Sequence, residues 1–256
     1  KTHLHLNHAG HDKKKFHMNL LKKAFLQYDF NNFFKVRTGK FKAPFGKEIS
    51  QGIKKRHYIY HSQSSKVVPG YSLGLQFSGE NIFKYLSYKV GFLNLNNKEF
   101  VEEINGNFTL CGNFQFDFRY FNLGYQYLAD TVERFSQGVF FLHRMKFRKD
   151  FYYNFFFEFI EERYFNYYWN NSFFSNLSLR VKSFEPLLYL DLFNNKVGFD
   201  GLKDNFIFGF GFNSYFLKDK LKIMIDIHTN YLYSLKNVEN LKFYDNKITI
   251  KILMEL

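Results

Sequence analysis

Cationic side chains recur at every second position in two segments of the chain. Arg144, Lys146 and Arg148 follow this spacing, and so do Arg180 and Lys182. In an extended strand, residues at this spacing point to the same face. A row of cations raises the local concentration of anions and could pass an anion from one charge to the next. The alternative is that these cations pair with carboxylates on neighbouring strands and have a structural role.

The elements that would present these cations are β-strands, because apolar and polar residues alternate from Leu20 onward. The clearest case places Phe at every second position of 206–212, with Ile207, Gly209 and Gly211 between the rings. Comparable alternation marks about 12 to 14 candidate strands, each of a length that crosses a bilayer when tilted. The sequence contains no stretch of about 20 predominantly apolar residues, the length that a membrane-spanning helix requires.

Composition narrows the fold to two all-β classes. The chain has 256 residues, of which 46% are hydrophobic and 22% aromatic, and this excludes a disordered segment or a coiled-coil rod. One class is a soluble β-sandwich or lipocalin-like barrel, and the other is a transmembrane barrel. The polar face of the strands is rich in Gly, Ser, Asn, Gln and Thr, which favours a wet lumen with lipid outside. We therefore predict an all-β, transmembrane, antiparallel up-and-down β-barrel of about 12–14 strands.

The N-terminal end differs from the rest of the chain. Residues 1–17 are polar and contain five histidines, whereas residues 18–256 continue without a linker or a change of composition. We therefore predict a polar His-rich N-terminal segment at 1–17 and an outer-membrane β-barrel at 18–256. His3 and His5 share strand parity, so a metal site is conceivable, but no fixed ligand spacing is present. A disordered or partner-binding segment is the favoured interpretation, and we predict no metal site.

One motif resembles a known family. Residues 36–48, VRTGKFKAPFGKE, resemble the phosphate-selective porin family (porins O and P), in which an early strand ends in a G-x-F-K-x-P-F-G-x-E run. Segments 68–94 and 206–228 resemble later parts of that family in the correct order. The resemblance implies an outer-membrane barrel, typically trimeric, that passes anions through a lumen lined by Arg and Lys. The chain is shorter than usual members and lacks an obvious arginine ladder, so the resemblance implies a shortened, divergent member.

The alternation also assigns charged residues to the lumen, provided that the apolar face points to lipid. The predicted pore-lining and anion-binding cations are Lys35, Arg37, Lys89, Arg144, Lys146, Arg148, Arg180, Lys182 and Lys222, and Lys251 shares their parity. The acids of the same parity are Asp29, Asp117, Glu158, Asp191, Asp226 and Glu255. Ten cations against six acids predict a mildly cationic pore interior.

A long connection begins at Pro44 and is too irregular for a strand. It carries four cations that are candidates for a constriction loop: Lys47, Lys54, Lys55 and Arg56. In porins a long loop can fold into the lumen and narrow it. The alternative is a solvated loop at the rim of the barrel, and the sequence leaves both open.

These features predict an outer-membrane porin for passive diffusion of small, preferentially anionic, phosphate-like solutes. The alternative is a structural or anchoring barrel with a closed lumen, which serves as one subunit of a larger envelope assembly. The expected partners are outer-membrane lipid, small anionic solutes, and either a homotrimer or envelope-complex subunits. We expect no enzymatic activity and no cofactor, because no catalytic or cofactor-binding motif is recognisable. The net charge of +13 is scattered along the chain, so nucleic-acid binding is not expected.

Overall fold

A computed structural model of the chain describes residues 2–8, 21–50, 62, 69–94, 108–130, 134–148, 151–164, 168–195, 204–216, 221–233 and 242–254. Its strands are β1 (Thr2–His8), β2 (Leu21–Asp29), β3 (Lys35–Lys42), β4 (Tyr71–Ile82), β5 (Leu86–Asn94), β6 (Thr109–Asp117), β7 (Phe121–Asp130), β8 (Arg134–Arg148), β9 (Phe151–Tyr164), β10 (Tyr168–Val181), β11 (Phe184–Asn195), β12 (Asp204–Phe216), β13 (Leu221–Tyr233) and β14 (Lys242–Met254). A short helix, α1 (Lys47–Ser50), follows β3. Within the described ranges, no helix is both long and apolar enough to cross a membrane.

The strands form one 14-stranded sheet in which each strand pairs with its neighbours in sequence. The ladders are antiparallel from β1–β2 through to β13–β14. This up-and-down order confirms the predicted fold class. The count of 14 strands lies within the predicted range of 12–14. The ladders that join the described residues run from β1 to β14 without pairing those two strands with each other.

The two-residue period separates an exposed apolar face from a buried one. On β12, Phe208 and Phe210 are 48% and 45% exposed, whereas Ile207 and Asn213 on the opposite face are 1% and 0% exposed. The outer rows of neighbouring strands match, because residues paired across a ladder point to the same side; Ile227, opposite Phe210, is 44% exposed. An apolar surface of this extent is unfavourable in water and is stabilised by contact with lipid.

The two ends of the sheet differ in the length of their connections. At one end, which we call the short-turn end, residues 83–85, 118–120 and 182–183 close three hairpins. At the other end, β3 and β4 are joined by residues 43–70. At that same end, β9 continues to Tyr164 and β10 begins at Tyr168, so only residues 165–167 separate these two strands.

Part of the predicted N-terminal segment belongs to the sheet. Strand β1 pairs with β2, with Thr2 opposite Tyr28 and His8 opposite Leu21. Residues 9–20 lie outside the described ranges, so the predicted boundary at residue 17 stays a prediction. The sheet nevertheless begins within residues 1–17 rather than after them.

The interior of the sheet is more apolar than the alternation predicted. One cluster, the loop-side cluster, consists of Phe25, Phe41, Ala43, Phe45, Leu93, Cys111, Leu128, Ile160 and Phe193. A second, the wall cluster, consists of Phe140, Phe156, Phe174, Leu187, Tyr189 and Ile207. Residues in both clusters are at most 3% exposed. The alternation identified the inner face correctly, but that face also carries large rings which pack together and exclude water.

Candidate functional site

The chain turns into the barrel directly after β3. Ala43 and Phe45 are each 1% exposed, and Phe45 packs in the loop-side cluster. Gly46 has a φ of 78°, a left-handed conformation that glycine adopts without the steric cost of a Cβ. This turn directs the chain into α1, where Glu48 is 1% exposed. Residues 43–48, which we call the inward segment, therefore lie inside the sheet rather than at its rim.

Side chains from β7 and β9 hold the inward segment in place. The backbone N–H of Gly46 donates to Oε1 of Gln126 at 2.9 Å. The backbone N–H groups of Lys47 and Glu48 donate to the two carboxylate oxygens of Glu158, the second at 3.0 Å. The Nε2 group of Gln126 donates to Oε1 of Glu158 at 2.7 Å. The carboxylate thus caps backbone donors that the start of a helix leaves without intrahelical partners.

Lys47 lies in the interior, where the sequence proposed a constriction residue. Its ammonium group donates to Oε1 of Gln115 and lies 5.0 Å from the centre of the Phe140 ring. Burial, and secondarily the positive charge of Lys89, lower the pKa of Lys47 to about 8, although Asp117 acts in the opposite direction. The other constriction candidates, Lys54, Lys55 and Arg56, lie outside the described residues.

A cavity of about 340 Å³ lies between the inward segment and strands β4 to β6. Its charged lining consists of Lys47, Lys89, Glu80 and Asp117. The hydroxyl of Ser87 donates to Asp117 at 3.1 Å, which orients the carboxylate. The volume falls within the range of small-molecule sites, and the lining presents both signs of charge to a solute.

Other cations gather on the inner face near the short-turn end. Across the ladders, Lys146 lies opposite Tyr152 and Tyr152 lies opposite Arg180. Arg144, two residues before Lys146, is the next side chain on the same face of β8 and lies opposite the buried Asn154. With Lys222 on β13, these residues form what we call the cationic row: Arg144, Lys146, Arg180 and Lys222.

Aromatic rings orient two members of the cationic row. The guanidinium of Arg180 lies 3.9 Å from the centre of the Tyr215 ring and donates to the Tyr152 hydroxyl at 3.1 Å. The ammonium of Lys222 lies 5.3 Å from the centre of the same Tyr215 ring. The Tyr215 hydroxyl in turn donates to Glu185, a fully buried carboxylate. Cation–π contacts of this kind help to hold a charged side chain in place.

The remaining predicted pore-lining residues fall into different settings. Lys35 forms an ion pair with Glu80 at 3.3 Å. Arg37 donates to Oε1 of Gln27 at 3.0 and 2.6 Å and lies over the ring of Phe25, a member of the loop-side cluster. Arg148 is the last residue of β8 and is exposed.

Lys182 lies away from its predicted position. The spacing placed it on a strand beside Arg180, but it occupies the turn between β10 and β11 with a φ of 55°. The β10–β11 hairpin begins its turn directly after Val181, earlier than the alternation predicts. The two-residue period of the strand therefore does not extend to Lys182. Lys182 is therefore a rim residue at the short-turn end.

The described side chains contain no group of three or more His, Cys, Asp or Glu residues that could hold a metal ion. The side chains of the N-terminal histidines are not among those described. The structure therefore leaves the N-terminal metal hypothesis untested.

Comparisons with known proteins give matches by structure. No protein-family model matches the chain, and a search of curated proteins finds no match. The chain is similar to OpdL of Pseudomonas aeruginosa, with 9% identity, a TM-score of 0.63, and coverage of 87% of this chain and 69% of OpdL. It is also similar to OpdK of the same organism, solved with vanillate, with 10% identity, a TM-score of 0.58 and coverage of 83% and 63%. A third similar structure is OccAB2 of Acinetobacter baumannii, with 10% identity, a TM-score of 0.59 and coverage of 90% and 65%.

The likeness in fold agrees with the predicted class, an antiparallel up-and-down barrel of the kind that porins form. The chain spans about two thirds of the length of these solved structures. The sequence motifs predicted a member of the phosphate-selective porin family. This prediction is wrong, because the structural likeness is to Opd and Occ porins instead. Residues 36–42 of that motif lie in β3, and residues 43–48 form the inward segment.

Proposed function

We propose that this protein is a channel of the bacterial outer membrane for passive diffusion of small solutes, with a preference for anions. The observation that carries the proposal is the cationic row on the inner face near the short-turn end. In a narrow channel with low-dielectric walls, charges of one sign concentrate the opposite ion. OpdK, a protein of similar fold, was solved with vanillate, an organic carboxylate. Small organic or inorganic anions are accordingly the proposed solutes.

The lengths of the connections suggest how the barrel is oriented. Outer-membrane barrels have short turns at the periplasmic side and longer loops outside the cell. On this basis the cationic row lies near the periplasmic mouth, and the inward segment enters from the external side. A solute would first meet the inward segment and the cavity beside it, and then the row. The proposed partners are membrane lipid and the solute, and a trimer or a larger envelope assembly remains a prediction.

A second function, a structural barrel with a closed lumen, is favoured by the wall cluster. Phe140 and Phe174 are 0% exposed and Tyr189 is 2% exposed on the inner face, so this part of the interior is dry. Barrels of about eight strands are filled by side chains, whereas those of about 16 to 18 leave an aqueous channel. A 14-stranded sheet lies between these cases, and the path past the inward segment decides which function applies.

Conductance in planar lipid bilayers separates the two functions. We expect discrete conductance steps from the purified, refolded protein and a reversal potential shifted toward anions under a salt gradient. The selectivity should weaken at high salt, because the Debye length falls from about 10 Å at 0.1 M to about 3 Å at 1 M. A folded protein that conducts nothing would favour the structural barrel. A protein that conducts with cation preference would contradict the assignment of the cationic row.

A further inference from the structure

We infer that Glu158 and Gln126 are positioning residues that hold the inward segment across the lumen and thereby limit the pore. The inference rests on the proposed channel function for its effect on conductance, whereas the holding role itself is independent of that function. We call this pair of residues the latch.

The latch joins parts of the chain that are distant in sequence by several hydrogen bonds. Gln126, 0% exposed, accepts from Gly46 with its oxygen and donates to Glu158 with its nitrogen. Glu158, 1% exposed, accepts from the backbone of Lys47 and Glu48. A buried N–H group that loses its acceptor costs more than an exposed one, because no water replaces the lost hydrogen bond. The inward segment is therefore held at three consecutive backbone N–H groups.

The surroundings of Glu158 make this arrangement hard to replace. Its ladder partners on β8 and β10 are Phe140 and Phe174, whose side chains donate no hydrogen bond. Among the described residues, two charged groups from α1 face it: Glu48, a like charge, and Lys47, an opposite charge. A buried carboxylate is costly without hydrogen-bond donors. If the inward segment left, Glu158 would keep Gln126 but lose its backbone donors, and this penalty favours the inserted position.

Phe45 gives the inward segment a second, apolar anchor in the loop-side cluster. The two anchors predict different results when the latch is removed. Removing the latch also removes the acceptors of residues 46–48, so the two anchors are separated by the amide of Ala43, which donates to Gly70 instead. If Phe45 alone held the segment, Ala43 would stay protected without the latch. If the latch holds it, Ala43 also exchanges with solvent while the strands remain intact.

Two latch variants and two matched controls test the inference. Glu158→Gln replaces an acceptor oxygen by an amide nitrogen that cannot accept from a backbone N–H, and Gln126→Leu removes both of that residue's bonds. The controls are Asp226→Asn and Gln76→Leu. Both change buried polar residues of the inner face, on β13 and β4, with side chains that are 1% exposed.

Hydrogen–deuterium exchange of the refolded protein in lipid is the first measurement. In the latch variants we expect the amides of residues 46–48 to lose protection by about tenfold, the change expected when a buried N–H group loses its acceptor, and the amide of Ala43 to lose protection as well. Amides of β7 and β9 should keep their protection, and so should residues 46–48 in both controls. Unchanged protection of residues 46–48 in Glu158→Gln would overturn the latch.

Single-channel conductance is the second measurement. The latch variants should conduct more than wild type, and the controls should not. Loss of amide protection with unchanged conductance in a conducting protein would overturn the effect on the pore. If neither wild type nor latch variants conduct while protection is lost, the channel proposal and the pore-limiting part of this inference both fail. The exchange data alone then show that the latch holds the segment.

Discussion

The ring of Tyr189 on β11 lies directly across Gly209 on β12. Its hydroxyl donates to Asp226 on β13 at 2.7 Å, so one side chain spans three strands on the inner face. A Cβ at Gly209 would lie 1.9 Å from Cζ of Tyr189, well inside van der Waals contact. The glycine that alternates with phenylalanine in the sequence therefore provides space for a ring of the wall cluster.

Replacing Gly209 by alanine should destabilise the barrel. Tyr189 would have to tilt away and give up its bond to Asp226, and overpacking of this kind costs about 1–3 kcal/mol. Gly91→Ala is the control, because its Cβ would meet its nearest neighbour at 3.4 Å, an ordinary contact. Urea unfolding of the refolded protein in lipid vesicles measures the difference. Equal stabilities for the two variants would show that the inner face is not packed as described.

An arginine on the outer face should impair membrane insertion, and the effect should depend on depth. Phe210 is 45% exposed in the middle of β12, and an arginine near the bilayer midplane costs about 2–4 kcal/mol in such barrels. Phe216, 47% exposed at the short-turn end of the same strand, is the control, where the cost falls to about 0–1 kcal/mol. The folded fraction, measured by heat-modifiable migration in electrophoresis, should fall for Phe210→Arg only. Wild-type folding of that variant would argue against a lipid-facing surface.

Neutralising the cationic row should change ion selectivity. In a triple variant with Arg144, Lys146 and Arg180 all changed to Gln, the reversal potential should shift toward cations, because local anion accumulation is lost. Lys182→Gln is the matched control and should have a smaller effect, since Lys182 lies in the turn rather than on the inner face. If the triple variant keeps wild-type selectivity in a conducting channel, the row is not part of the anion path.

Anion preference should also depend on pH through Lys47. Its pKa of about 8 lies below the ordinary lysine value because the group is buried, so it carries a charge at pH 7 and loses it as the pH rises toward 9. We expect the reversal potential to move toward cations over this interval in wild type. The change should be smaller in Lys47→Gln, which lacks the titrating charge at every pH. An identical pH response in both proteins would place Lys47 away from the conduction path.

The alternation of residue types was sufficient to predict strands β2 to β14, the antiparallel order and the outward face of Phe208 and Phe210, but not β1. These properties are local, because successive side chains of a strand point to opposite faces and short connections bring neighbouring strands together. The same local rule failed at Lys182, where the chain leaves the strand at a turn that the charge spacing does not reveal.

The tertiary structure decided what the inner face does. Strand parity identified Glu158 as an inward-facing carboxylate but could not show that its partners are backbone groups of Lys47 and Glu48, since no local pattern links these positions. It could not show that Tyr189 fills the space over Gly209, because two residues on adjacent strands meet only once the register is set. Hydrophobic alternation therefore determines which face of a strand points outward and which points inward. Packing across the barrel determines whether the enclosed space is open, narrowed or filled.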